Sequence, residues 1–217
     1  MNFNNININY NNNIINFNNI KKSYNNTKYS DINSMNFYNN PSNLTLTRLT
    51  KEFKLCRDDQ DLFQLGFIIS IKDPNPFKWI ITFIGPENTP YEGGLFELSI
   101  EFPLDYPKHG PEFKFKTKIY CTFVCIDNNS YFGHISISRL NEWRDTGKVR
   151  NFPFYTVKNA LIDIYCCLFD HSPYFCFHFP LDLAQQYTNN LQSFEEEARK
   201  WTKKYASVEL FIQNSYS

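Results

Sequence analysis

The sequence has little glycine (7 of 217 residues) and almost no methionine (2), and it has no surplus of either charge: 22 Lys and Arg against 22 Asp and Glu. That balance excludes a broadly basic nucleic-acid binder, which needs excess cations to neutralise phosphates. No apolar run reaches the roughly 18 residues expected of a membrane span. The opening MNFNNININYNNNIINF has neither a basic start nor a continuous apolar stretch, so no secretory signal is expected. The cysteines, at positions 56, 121, 125, 166, 167 and 176, form no CxxC unit, and with histidines at 109, 134, 171 and 178 they show no zinc spacing. The expectation is no metal, no cofactor, and free thiols in a reducing compartment, the cytoplasm or nucleus.

What is present is uneven. Asparagine makes up eighteen of the first 43 residues, interspersed with Ile, Phe and Tyr. A core cannot be built from amides without pairing each one, so residues 1–43 are expected to be a disordered, low-complexity arm. The remainder has room for one domain, expected over 44–207, with 208–217 as a C-terminal tail.

Within that domain Leu46, Leu49, Phe53 and Cys56 recur at spacings of three and four, predicting a helix over 45–58 whose other face carries Arg48, Lys51, Lys54 and Arg57. Strand-like segments follow at 63–71, 77–84 and 95–102, and around Phe113 and Phe115. Their short connections imply an antiparallel meander, since a parallel pair needs a long crossover. After an irregular centre, Val157, Leu161, Ile164 and Leu168 mark one helix. Tyr187, Leu191, Phe194, Ala198, Trp201 and Tyr205 mark a long second stripe. The fold class is α+β: an N-terminal helix, a four-stranded antiparallel meander, an irregular segment, and C-terminal helices.

One stretch is more specific than periodicity. Residues 85–96, GPENTPYEGGLF, followed by 100–107, IEFPLDYP, resemble the GPxxxPYxGGxFxLxIxFPxDYP pattern of ubiquitin-conjugating enzymes. Residues 48–53 (RLTKEF) resemble that family's first helix, 117–120 (TKIY) the approach to its active site, and 198–206 (ARKWTKKYA) its closing helix. The resemblance covers about 44–207. It implies the family's UBC fold and a place in the conjugation pathway. The implied partners are ubiquitin or a ubiquitin-like modifier, an active conjugating enzyme, an activating enzyme or a ligase, with no nucleic acid and no membrane.

Members of that family carry the modifier as a thioester on one cysteine, a step suited to a thiolate nucleophile and leaving group. The family reads HPN and then, eight residues beyond the Asn, GxIC. Here Gly133-His134-Ile135-Ser136 matches GxIC with Ser136 at the cysteine's place, and counting back eight reaches Asn128 as a stand-in for the oxyanion asparagine. About five residues are inserted before this point. The resemblance therefore implies a non-catalytic variant acting as cofactor or scaffold. A competing alignment sets Val124-Cys125-Ile126-Asp127 on the family's ICLD, making Cys125 the nucleophile of an active enzyme. Partner contacts implied by the resemblance fall on Arg48, Lys51 and Lys54, on Lys108 and His109 where the family commonly has Phe, and on Pro153 and Phe154 where it has SPALT. Residues 144–151 form a basic insertion between the family's tryptophan, matched by Trp143, and that segment.

Overall fold

The computed structural model of the chain describes residues 7–10, 13–16, 43–71, 75–127, 131–152, 154–169 and 181–215. In the Asn-rich arm, β1 (Asn7–Tyr10) pairs antiparallel with β2 (Asn13–Asn16), Ile8 opposite Ile15. The rest of the arm lies outside the described residues.

Helix α1 (Asn43–Arg57) buries Leu49, Phe53 and Cys56 along the expected stripe and leaves Lys51 and Lys54 exposed. The Thr45 hydroxyl donates to the Tyr106 carbonyl at 2.8 Å. The stretch expected to begin a strand at Phe63 is first a short helix, α2 (Gln60–Gln64), because the Asp59 carboxylate accepts from the Leu62 amide and caps it. Strand β3 runs only over Ile68–Ser70.

Strands β4 (Lys78–Ile84), β5 (Leu95–Glu101) and β6 (Glu112–Phe115) complete a four-stranded antiparallel meander in the order β3-β4-β5-β6. The register sets Ile68 opposite Thr82, Ile81 opposite Leu98, and Leu98 opposite Phe115. Alternation then delivers Trp79, Ile81, Phe83, Phe96, Leu98, Ile100, Phe113 and Phe115 to one face and into the main core. The other face carries Glu97, Ser99 and Glu101 as expected, yet it is not wholly solvated. Ile68 and Leu95 on that side are buried beneath Val208 of the last helix, with Ile84 and Phe211 packed around them.

After the meander come α3 (Ser138–Thr146), α4 (Val157–Cys167), α5 (Leu181–Asn189), α6 (Leu191–Tyr205) and α7 (Val208–Ser215). Thr156 caps α4 in a reciprocal capping box with Asn159, as its position before the apolar stripe predicts. The long C-terminal stripe is two helices, because Asn190 takes a non-helical conformation and its side chain accepts from the Ser193 amide to start α6.

The aromatic surplus has a use in this core. Rings of Trp79, Phe102, Tyr106, Trp143 and Tyr155 follow one another at 4.6, 5.1, 6.2 and 5.0 Å between centroids. This line of contacts ties the sheet to α3 and the start of α4. It fixes the position of everything between β6 and α4, where the candidate site lies.

Candidate functional site in the segment between β6 and α3

Residues 121–127 and 131–137 pair as the two arms of a narrow hairpin. Val124 bridges Ile135, the Cys125 amide donates to the His134 carbonyl at 3.0 Å, and the Gly133 amide returns to the Cys125 carbonyl at 2.9 Å. One step further along, the Ser136 amide donates to the Phe123 carbonyl at 2.8 Å. The hairpin is fastened to the sheet edge by the Lys114–His134 bridge and by the Phe115 amide donating to the Gly133 carbonyl at 2.7 Å. Gly133 is required there. Its φ is +80°, and a Cβ would stand 2.1 Å from the Phe115 carbonyl oxygen.

Ser136 is buried, 4% exposed, and its hydroxyl lies 3.5 Å from the Asn141 amide nitrogen on α3, the outer limit of a hydrogen bond. Asn141 is held in turn by Arg144, whose guanidinium donates to its Oδ1 at 3.3 Å. His134, two residues away, is engaged elsewhere: Nδ1 is 3.1 Å from a Glu112 carboxylate oxygen and Tyr131 packs edge-on at 5.6 Å. Burial lowers the His134 pKa below its ordinary value, with Lys114 and Arg144 acting the same way and Glu112 opposing them. Among the described residues, the partners of His134, Glu112 and Tyr131, are not those of the Ser136 hydroxyl, which meets Asn141.

Cys125 is buried like Ser136, at 5% exposed, and both of its backbone polar groups are spent in the ladder. Cys121 is fully buried. Both side chains are enclosed. Asn128 lies outside the described residues. The residue that faces Ser136 is Phe123, 1% exposed. Counting forward three from Tyr120, where the family's HPN asparagine would fall, also reaches Phe123. The forward count was the signal in the sequence that pointed to it. The insertion makes the forward and backward counts disagree.

The other sequence-predicted residues fall on two further surfaces. Arg48 is half-exposed and paired with Glu52 at 2.7 Å, while Lys51 and Lys54 are exposed on α1 and form no ion pair among the described residues. Lys108 is exposed, His109 is paired with Asp105 at 2.7 Å, and Phe154 is 86% exposed. Pro153 lies outside the described residues. The 144–151 insertion is in part helical, since α3 runs to Thr146 and stops at Gly147. Leu140 and Trp143, three apart and both buried, were the periodicity that could have revealed it. Among the described residues no group of three His, Cys, Asp or Glu side chains is placed to hold a metal ion, and no helix is long and apolar enough to cross a membrane.

A meander of four antiparallel strands, flanked by an N-terminal helix and C-terminal helices, with an irregular hairpin leading into the helix that carries Trp143, is the architecture of ubiquitin-conjugating enzymes. The profile of that family, described as ubiquitin-conjugating enzyme, matches residues 48–202, and the chain belongs to it. Among curated relatives, "Ubiquitin-conjugating enzyme E2 1" of Schizosaccharomyces pombe is 41% identical over 129 residues, 58% of this chain and 52% of that protein. The chain thus spans about half the length of that relative. It covers more of two others. "Probable ubiquitin-conjugating enzyme E2 31" of Arabidopsis thaliana is 32% identical over 163 residues, 74% of this chain and 92% of the relative. "Ubiquitin-conjugating enzyme E2 21" of Caenorhabditis elegans is 30% identical over 192 residues, 87% and 82%. Among solved structures, a putative ubiquitin conjugating enzyme from Plasmodium yoelii superposes with a TM-score of 0.63 at 34% identity, over 76% of this chain and 97% of that one. The E2 domain of a Toxoplasma gondii ubiquitin conjugating enzyme gives 0.59 at 31%, over 74% and 99%.

Proposed function

We propose that this protein is a non-catalytic member of the ubiquitin-conjugating family. In this reading it binds ubiquitin or a ubiquitin-like modifier, or an active conjugating enzyme, and acts as a cofactor or scaffold in the cytoplasm or nucleus. One observation carries the reading: the residue at the cysteine's place in the GxIC frame is Ser136, an enclosed hydroxyl whose neighbour is the Asn141 amide. A hydroxyl ionises far less readily than a thiol, whose ordinary pKa of about 8.5 leaves a few per cent thiolate at neutral pH. To attack a thioester, Ser136 would need a base in hydrogen-bond reach, and the Asn141 amide beside it is not one. The oxyanion position is changed as well, since the side chain across the hairpin is the phenyl ring of Phe123, which cannot donate to a developing negative charge.

With catalysis set aside, the surfaces remain. Arg48, Lys51 and Lys54 on α1 offer a cationic face, and Lys108, His109 and Phe154, with Pro153 beside it in sequence, offer a second.

The test is incubation of the protein with activating enzyme, ATP and ubiquitin, followed by electrophoresis with and without reducing agent. The expected outcome is no reducible adduct on the natural sequence and a reducible adduct on Ser136→Cys. A reducible adduct on the natural sequence that disappears in Cys125→Ala would overturn the reading and make Cys125 the nucleophile.

A further inference from the structure

Strands β1 and β2 of the Asn-rich arm have no place in the four-stranded meander. They form a separate two-stranded sheet, with Asn7 opposite Asn16, Ile8 opposite Ile15, Asn9 opposite Ile14 and Tyr10 opposite Asn13. Among the described residues neither strand pairs with a third. An antiparallel pair uses only half of its backbone N–H and C=O groups between its two strands, so each outer edge keeps a row of donors and acceptors for a further strand. The sheet of the folded domain does not leave its edges in this condition. Its β3 edge is three residues long, and its β6 edge is joined to the following segment by the Lys114–His134 bridge.

The sequence around this hairpin lacks the usual guards of a strand edge. Residues 1–20 contain no Asp, Glu, Lys, Arg, Pro or Gly; eleven of them are Asn and eight are Ile, Phe or Tyr. Charge, proline and bulges keep natural edges from pairing with another chain, and low charge without proline is the composition of segments that stack. The same chemistry selects the occupant. Asparagine is a poor strand former and a lone two-stranded hairpin is marginal in water, so β1 and β2 are stabilised most by further strands. A strand of unrelated sequence would leave each asparagine amide to find its own partner. An identical strand in register sets asparagine beside asparagine, where amides form ladders along the stack, and isoleucine beside isoleucine.

We infer that the β1–β2 hairpin is a docking site for a second copy of this chain, its edge pairing with the edge of the same hairpin in that copy. Paired strands lie about 4.8 Å apart. A folded domain of about 160 residues has a radius of gyration of about 15 Å, so the domains themselves cannot stack at that spacing. Residues 17–42, between β2 and α1, can reach at most about 90 Å, which lets the domains splay outward from the paired hairpins. Each copy that docks leaves an outer edge free, so the assembly is open-ended and gathers several domains in one place. With no charge in residues 1–20, the pairing should respond little to salt. The inference goes beyond the function proposed above and does not depend on it.

The experiment is sedimentation velocity of the full chain over about a hundredfold range of concentration, paired with hydrogen exchange of the β1 and β2 amides. Expected is a sedimentation coefficient that rises with concentration, in low and high salt alike, with slower exchange at 7–10 and 13–16 in the associated form. The Ile8→Pro/Ile15→Pro double variant removes an amide donor from each strand and should stay monomeric across the range. Its folded domain should keep the thermal midpoint of the natural chain, which separates loss of pairing from loss of fold. A dimer and a longer stack both support the inference, since both use the same edge. A natural chain that stays monomeric, association that survives the double proline variant, or association dissolved by salt would each overturn it. So would protection of the β1 and β2 amides in a monomer, which would mean that the hairpin docks on its own domain. None of these readouts involves thioester formation, so this inference and the function proposed above fail independently.

Discussion

Glu52 shows how much one buried side chain can hold. It is 1% exposed and its carboxylate accepts from Arg48 at 2.7 Å, the Tyr106 hydroxyl at 3.0 Å and the Val157 amide at 3.2 Å. One residue of α1 thus clamps the loop after β5 and caps the first turn of α4. Burial, and then the neighbouring Glu52 charge, push the Tyr106 phenol well above its ordinary pKa, so Tyr106 remains a donor. Removing the carboxylate strands Arg48 and the Val157 amide, and Glu52→Ala should cost about 3–5 kcal/mol in urea unfolding. Asp59 makes a pH-dependent contribution. Burial opposes its ionisation, but hydrogen bonds from Lys158 at 2.6 Å and from the Leu62 amide prevail, so its pKa is lowered below the usual carboxylate value. A group whose folded pKa is depressed stabilises above its unfolded pKa, and that stabilisation is lost as pH falls through the folded one. Thermal unfolding should therefore show Asp59→Asn less stable than the natural chain at neutral pH, with the difference shrinking below about pH 4.

At the scale of elements, the sequence was most legible where one period ran long enough. The α1 stripe, the alternation along β5 and the Thr156-capped α4 all lie where the residue spacing puts them. Legibility failed at short elements and breaks. The α2 turn precedes β3 because Asp59 caps it, and one asparagine divides α5 from α6; each is a single side-chain hydrogen bond that periodicity does not register. The hairpin at 121–137 was read as irregular, because its pairing depends on a glycine reaching β6 rather than on any repeat. Gly133→Ala places a methyl group against the Phe115 carbonyl at a positive φ, and should cost about 2 kcal/mol or more. Amide exchange at Cys125 and Ser136, whose ladder bonds depend on that approach, should accelerate more than exchange within β4 and β5.

At the scale of the whole molecule, the sheet has two apolar faces of unequal size. The main core contains nearly all the buried aromatics, whereas Ile68, Leu95 and Val208 form a separate small cluster on the outer side. Among the described residues, helix α7 rests on this small cluster, which places it at the low-stability end of the fold. Val208→Asp buries an unpaired carboxylate there and should release α7. In hydrogen exchange the 208–215 amides should lose protection while those of β4 and β5 keep theirs. Simultaneous loss in both regions would show that the outer cluster is part of the global cooperative unit.

The sequence by itself determined the family and the order of the main elements, because each rests on residue identity or on a local repeat written along the chain. The tertiary structure decided what those residues meet. It paired Phe123 with Ser136, enclosed Ser136 and Cys125 alike, laid α7 on the outer face of the sheet, and brought Lys108 against Gly147. These are contacts between residues brought together by chain reversal. An insertion of about five residues shifts sequence counting while leaving cross-strand hydrogen bonding free to choose the register.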